Sequence, residues 1–151
     1  MRKPYFKTQE GQTLLKQIRE NDPSMTSLYL GNKNIDDTDI QTLSAVLKSN
    51  CALTHIYLSG NEIGDAGAKY IADMLDHQGT ITDLSTNIFF FFSLFSYNNQ
   101  IQDKASEARI DNALKRNRDW RDKLFEACRK GDKQDAKAYF WTLDNKHPAT
   151  P

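Results

Sequence analysis

The sequence predicts an α/β fold made of repeated strand-and-helix units. Two stretches of equal length, 25–52 and 53–80, follow each other in step. In each, apolar residues first alternate, as in a short strand with one buried face, and later recur at helical spacing. Units of this kind bury their apolar sides against their neighbours along the array.

The two units carry the same residue types at equivalent positions. In the strand part, Leu28 and Leu30 of the first unit correspond to Ile56 and Leu58 of the second. The predicted helical stripes are Leu43, Val46 and Leu47 in the first unit and Ile71, Met74 and Leu75 in the second. A repeat in both periodicities indicates strands that alternate with helices along the chain.

From Leu53 the second unit reads LTHIYLSGNEI, and this LxxLxLxxNxI pattern resembles the leucine-rich repeat family, specifically its ribonuclease-inhibitor-like class. The resemblance implies a solenoid with short parallel strands on the concave face, helices on the convex face and helical caps. It also implies that a buried Asn61 amide binds backbone groups of the turn after the strand, with Gly67 near the helix start. The first unit has Lys33 and Asp39 at these two places, so we expect its turn to be looser.

Residues 1–24 are predicted to form an N-terminal helical cap or half repeat. The stretch 8–20 carries Leu14, Leu15 and Ile18 on one helical face, and Leu15 lies one repeat period before Leu43. An uncapped array would expose the apolar side of its outermost unit. The segment is therefore interpreted as the helix half of a preceding unit, acting as a cap.

A third, irregular repeat is predicted at 81–117. Ile81 opens it, but the turn pattern returns only at Asn99 and Ile101, 10 residues later than in the second unit. Asn99 takes the place of the structural turn asparagine. Either this unit contains a Phe-rich insertion, or a broken unit is followed by one that starts near Phe91.

The apolar block IFFFFSLFSY at 88–97 allows more than one interpretation. It has about half the length that a membrane-spanning helix needs, so a transmembrane segment is not favoured. An exposed patch that contacts lipid or a protein partner is physically possible. A strand plus insertion packed on the core is favoured, because large aromatic side chains in a soluble chain are usually buried.

Residues 118–151 are predicted to form a C-terminal helical cap or an ankyrin-like helix pair. The spacing of Leu124, Ala127, Gly131 and Phe140 is similar to that of the opening helix pair of an ankyrin repeat. Gly131 would then serve the turn between the two helices. A single ankyrin unit is not stable alone, so the cap interpretation is favoured.

Charge and cysteine content limit the classes of partner and compartment. The chain has 20 Lys plus Arg and 20 Asp plus Glu, so no net charge draws it to nucleic acid or to anionic lipid. Cys51 and Cys128 match no CxxC spacing and are interpreted as free thiols in a reducing compartment. No signal peptide is visible at the N-terminus, and we expect a cytoplasmic location.

No catalytic or metal-binding pattern accompanies the three histidines, His55, His77 and His147. Cys51 and His55 lack a third ligand, so we expect a buried thiol and an exposed strand residue instead of a metal site. The acidic run 36–39 lacks the glycine and distal glutamate of a calcium loop, and is interpreted as a helix-capping cluster. No enzyme activity, metal or cofactor is predicted.

The remaining candidate site is a surface of outward-facing strand residues. It comprises Ser27, Tyr29 and Gly31, then His55, Tyr57 and Ser59, then Asp83 and Ser85. Tyr29 and Tyr57 lie one unit apart and should stand side by side, either as a binding hot spot or as a cross-strand pair that stabilises the sheet. The first hypothesis is a non-catalytic module that binds another protein through its concave strand face. The alternative is a membrane-peripheral protein that contacts lipid through 88–97.

Overall fold

The computed structural model describes residues 3–84 and 99–131. The elements, in chain order, are a 3-10 helix (Tyr5–Lys7), α1 (Gln9–Glu20), β1 (Ser27–Tyr29), α2 (Asp37–Leu47), β2 (His55–Tyr57), α3 (Asp65–Leu75) and α4 (Lys104–Lys130). Strand and helix alternate through the two central units, as their apolar periodicities predict. The fold class is a mixture of helices with a small parallel sheet.

The sheet pairs β1 with β2 in parallel, with Leu28 opposite Ile56 and Tyr29 opposite Tyr57. Asp83 joins the other side of β2 through an isolated parallel bridge to His55. The residues that the structure describes thus contain two strands and one bridge. This is less than the full concave sheet that the family resemblance implies.

The core lies between the sheet and the helices. It contains the alternating strand residues and the helical stripes predicted from the sequence, namely Leu28, Leu30, Leu43, Val46, Leu47, Ile56, Leu58, Ile71, Met74 and Leu75. Helix α2 packs against α1 and α3, and α3 packs against α4. Full burial of one such aliphatic side chain stabilises the fold by about 1.5–3 kcal/mol, so each of these repeated positions contributes to stability.

Helix α1 begins at a polar cap and ends at a left-handed residue. The Thr8 hydroxyl oxygen accepts a hydrogen bond from the Gly11 N–H at 3.1 Å, and Asn21 has φ 57° at the C-terminus. Leu15 and Ile18 face the core. The 3-10 helix crosses α1 so closely that a Cβ at residue 11 would collide with the Tyr5 carbonyl oxygen, which explains the glycine.

Helix α4 runs unbroken for 27 residues and crosses the predicted boundary between residues 117 and 118. Its buried stripe includes Ile110 and Leu114 near the repeats and Leu124 further along. Gly131, with φ 71°, ends it. The proposed second ankyrin-like helix, within 132–151, lies outside the described residues.

The Phe-rich block at 88–97 and Ser85 also lie outside the described residues, so the interpretations made of them stay predictions. Within the described ranges, no helix combines the length and the apolarity needed to cross a bilayer. The predicted burial of Cys51 is wrong, because its side chain is exposed. Its neighbour Asn50 is buried instead, and its side chain binds backbone groups of Ile18, Ala52 and Leu53.

Candidate functional site

Asn61 joins the turns of two consecutive units. It is 4% exposed, and its Oδ1 accepts hydrogen bonds from the N–H groups of Lys33 and Ile35, both at 3.0 Å. Its Nδ2 donates to the carbonyl oxygens of Leu30 and Leu58, both at 2.8 Å. Three of these four backbone partners belong to the first unit, so the asparagine serves mainly the turn that precedes its own.

Asn99 repeats this arrangement one unit further on. Its Oδ1 accepts from the Ile63 N–H at 3.2 Å, and its Nδ2 donates to the Leu58 carbonyl oxygen at 3.1 Å. The reason for expecting a looser first turn therefore does not hold. The lysine at 33 does not deprive that turn of an amide, because Asn61 of the second unit supplies one.

Lys33 instead contacts the N-terminal cap. Its Nζ lies 2.9 Å from Glu10 Oε1 and 5.8 Å from the centre of the Tyr5 ring. The Tyr5 hydroxyl donates to the same Glu10 oxygen at 2.9 Å. An asparagine at 33 would have no preceding strand turn to bind within the described residues, whereas a lysine reaches the cap.

A second set of buried amides, which the sequence interpretation missed, holds the starts of the strands. Asn50 Nδ2 donates to the Ile18 carbonyl oxygen at 2.8 Å, and Gln78 Nε2 donates to the Asn50 carbonyl oxygen at 3.1 Å. Asn117 Nδ2 donates to the Ile81 carbonyl oxygen at 2.7 Å. Asn50 and Gln78 lie one repeat period apart, and this spacing is the signal that would have revealed these two, whereas Asn117 does not follow the period.

The acidic run 36–39 caps its helix, as predicted, but only through its first member. Asp36 Oδ1 accepts from the Asp39 N–H at 3.0 Å. Asp39 is buried, and its carboxylate accepts from the N–H groups of Tyr5 at 2.9 Å and Phe6 at 3.0 Å. This carboxylate ties the 3-10 helix to α2.

Asp37 reaches forward to the second unit instead. Its Oδ1 accepts from the Gly64 N–H at 2.7 Å. A Cβ at residue 67 would lie 2.5 Å from the same oxygen, so the glycine leaves room for this contact between units. Sequence alone placed Asp37 in a local cap, whereas the fold uses it as a bridge.

The predicted column of tyrosines is confirmed by the geometry. The rings of Tyr29 and Tyr57 are stacked, with centroids 4.7 Å apart and planes 5° from parallel. Tyr29 is 69% exposed. The remaining described residues of the predicted binding surface are half-buried, namely Ser27, Gly31, His55, Tyr57, Ser59 and Asp83. We call this set, together with Tyr29, the strand face.

The chemistry of the strand face is aromatic and polar. His55 Nδ1 lies 2.8 Å from the Thr54 hydroxyl oxygen, and Asp83 lies beside His55 in the sheet. No group of three His, Cys, Asp or Glu side chains suited to a metal ion occurs in the described part of the chain. The side chains of this surface can stack on aromatic groups and can donate and accept hydrogen bonds, and such side chains are common in protein-binding surfaces.

At the N-terminal end, burial and the Glu10 carboxylate raise the pKa of Tyr5 to about 12. The hydrogen bonds from Lys33 and Tyr5 lower the pKa of Glu10. Both shifts favour one arrangement, a neutral phenol that donates to an ionised carboxylate. The cap is thus most stable where Glu10 is charged and Tyr5 is not.

This arrangement predicts a loss of stability at alkaline pH. The folded pKa of Tyr5 lies above the value of about 10 expected in the unfolded chain, so its contribution is complete below pH ~10 and is lost as pH rises toward 12. We expect the urea midpoint of the wild type to fall over this window more steeply than that of Tyr5→Phe. Parallel pH profiles for the two proteins would contradict the assignment.

Comparisons with known proteins agree with the repeat geometry. Residues 49–72 match the family model described as Leucine Rich repeat. The chain is 29% identical over 97 residues to Protein phosphatase 1 regulatory subunit 37 homolog of Caenorhabditis elegans, which is 62% of the chain and 10% of that relative. It is 39% identical over 54 residues to NACHT, LRR and PYD domains-containing protein 3 of Homo sapiens, which is 36% of the chain and 5% of that relative.

The chain contains a leucine-rich repeat. It spans about a tenth or less of the length of these curated relatives. Among solved structures, the chain resembles Leiomodin-1 Actin-Binding Site 2 (ABS2), with a TM-score of 0.50 at 18% identity. The likeness covers 82% of this chain and 98% of that one, and it concerns the fold alone.

Proposed function

We propose that this leucine-rich repeat protein is a non-catalytic interaction module that binds a partner protein through its strand face. The observation that carries the proposal is the stacked pair Tyr29 and Tyr57, in which Tyr29 stays 69% exposed. Tyrosines of this kind are enriched at binding hot spots, because they offer a large rigid surface with a polar tip.

The stacking gives the pair a role in the sheet as well as in binding. A cross-strand aromatic pair stabilises a sheet by about 0.2–1 kcal/mol. That role does not require the Tyr29 ring to remain exposed. The stack also holds both rings in one orientation before a partner arrives. Less side-chain freedom is then lost on binding, which favours affinity.

The relatives support a protein partner. One carries the name of a phosphatase regulatory subunit, and the structural neighbour is named as an actin-binding site. By analogy, the strand face is the surface that we assign to a protein ligand, and we propose that it forms the concave side of the repeats. Actin and protein phosphatase 1 are the first partners to test.

The test compares Tyr29→Ala/Tyr57→Ala with wild type. Binding to purified actin and to the purified phosphatase is measured by co-sedimentation and calorimetry, followed by quantitative pull-down from a cell extract. For any partner that binds the wild type, we expect at least about tenfold weaker binding by the double variant, because hot-spot tyrosines contribute about 2 kcal/mol or more.

The matched control is Phe125→Ala, which removes another exposed aromatic, on α4, with 63% exposure. It should bind like wild type. Circular dichroism and urea unfolding verify that each variant is folded. Equal affinity of the double variant and the wild type for every partner found would overturn the assignment of the strand face.

A further inference from the structure

The outer edge of β1 has no strand beside it in the part of the chain that the structure describes. β1 bonds to β2 through alternate residues, since the Leu30 N–H donates to the Tyr57 carbonyl oxygen at 2.8 Å. Backbone groups of successive strand residues point to opposite edges. The N–H and C=O groups of Ser27 and Tyr29 therefore point away from β2.

The repeat register identifies the element that would lie beside this edge. Helix α1 packs on α2 as α2 packs on α3, and Leu15 lies one repeat period before Leu43. α1 is thus the helix of a unit whose strand would lie along the outer edge of β1. The 3-10 helix before α1 lies one repeat period before the turn that follows β1, and it packs beside α1 and α2.

A groove occupies the place of that strand. Its volume is about 470 Å³, and it runs between one side of α1 and the outer edge of β1. Leu14 and Met25 line it and remain partly exposed while they contact the core. The Lys33–Glu10 ion pair and the Tyr5 ring lie at its wall. We call this feature the edge groove.

We propose that the edge groove binds an extended segment of a partner protein, which adds to β1 as a further strand. The N–H and C=O groups of Ser27 and Tyr29, which no described strand pairs, match an occupant that donates and accepts along an extended backbone, which a polypeptide strand does. The site shares Ser27 and Tyr29 with the strand face, but it depends on their backbone groups and on the edge groove, whereas the proposed function depends on the exposed tyrosine side chains.

The geometry also defines the side chains of the segment. Its residue opposite Tyr29 points outward and extends the stack of Tyr29 and Tyr57, so it is aromatic. Its two neighbours point inward, toward Leu14 and Met25, so they are aliphatic. The required pattern is aliphatic, aromatic, aliphatic, which is also the pattern of β1 with its flanking residue, Leu28, Tyr29 and Leu30.

The repeat symmetry supplies a probe. A peptide with the sequence of residues 24–32, SMTSLYLGN, should pair with β1 as β1 pairs with β2. In nuclear magnetic resonance titrations with the full chain, we expect saturable shifts at the Ser27 and Tyr29 amides and slower exchange of these two protons. Absence of such shifts up to millimolar peptide would overturn the proposal.

Two methylated peptides test whether the backbone carries the binding. N-methylation of the two leucines of the peptide blocks the edge that faces β1. N-methylation of its tyrosine and of the serine that directly precedes its first leucine blocks only the far edge. The first peptide should bind at least about tenfold more weakly than the second. Equal affinities would show that strand addition is wrong.

On the protein, Leu14→Glu places a charge in the edge groove, and Gln41→Glu places one on the exposed side of α2 as a control. Only Leu14→Glu should lose peptide affinity. Ser27→Pro adds a second variant, because it removes an outward N–H without removing a bond to β2. If the same amides shift with protein concentration in the absence of peptide, a second copy of the chain is the occupant and a partner segment is excluded.

Discussion

Asn61→Ala is expected to lower the free energy of unfolding by at least about 3 kcal/mol, since each buried backbone group left without a partner costs about 1–3 kcal/mol. The substitution removes hydrogen bonds to the N–H groups of Lys33 and Ile35 and to the carbonyl oxygens of Leu30 and Leu58. Both central turns lose their tie at once. Urea unfolding followed by circular dichroism measures the change.

Lys33→Ala is the matched control, at the equivalent position one unit earlier. Its side chain makes an ion pair with Glu10 in which both partners are substantially exposed, and such pairs contribute about 0–1 kcal/mol. The two variants should therefore differ clearly in urea midpoint. Equal midpoints would contradict the repeat register that places Asn61, and not Lys33, between the turns.

Asp39→Ala should destabilise the protein by about 3 kcal/mol, because two buried N–H groups lose a charged acceptor and such bonds contribute about 1.5–3 kcal/mol each. The carboxylate binds the N–H groups of Tyr5 and Phe6, and the Phe6 side chain is 1% exposed. Release of the 3-10 helix would also expose this aromatic side chain. Urea unfolding gives the stability change.

Asp36→Ala is the control for Asp39, because it removes a carboxylate of the same acidic run, one that caps the helix and does not bind Tyr5 or Phe6. Loss of an N-cap costs about 1 kcal/mol. Hydrogen exchange separates the two effects, since only Asp39→Ala should speed exchange at the amides of Tyr5 and Phe6. Unchanged exchange at both amides in Asp39→Ala would contradict the assigned tie.

On the strand face, the repeat period predicts which side chains are neighbours but not what they bind. The period of the two central units placed Tyr29 and Tyr57 in one column, and the structure shows them stacked. Such a prediction succeeds because equivalent residues of adjacent parallel strands are neighbours whatever the details of the turns. Whether the column binds a partner depends on a second molecule, and that assignment stays a proposal.

The polar residues were harder to predict because their partners are distant in the chain. Asp37, Asp39 and Asn61 all carry out functions between units or between cap and unit. Local capping rules identified only Asp36 correctly among the acidic residues. A short polar side chain has several possible backbone partners, and only the packed helices determine which one is within reach.

The sequence by itself determined the α/β class, the repeat period and the buried aliphatic residues of the two central units. These features depend on local periodicity, because the spacing of the apolar residues determines whether a segment buries them as a strand or as a helix. The tertiary structure alone decided that Asn61 binds the preceding turn, that α4 runs through residue 117 without a break, and that a groove lies beside β1. Each of these features depends on how the helices and strands are placed relative to one another. Which backbone groups lie within reach of a side chain, and which strand edge is left without a neighbour, is decided only when the helices pack.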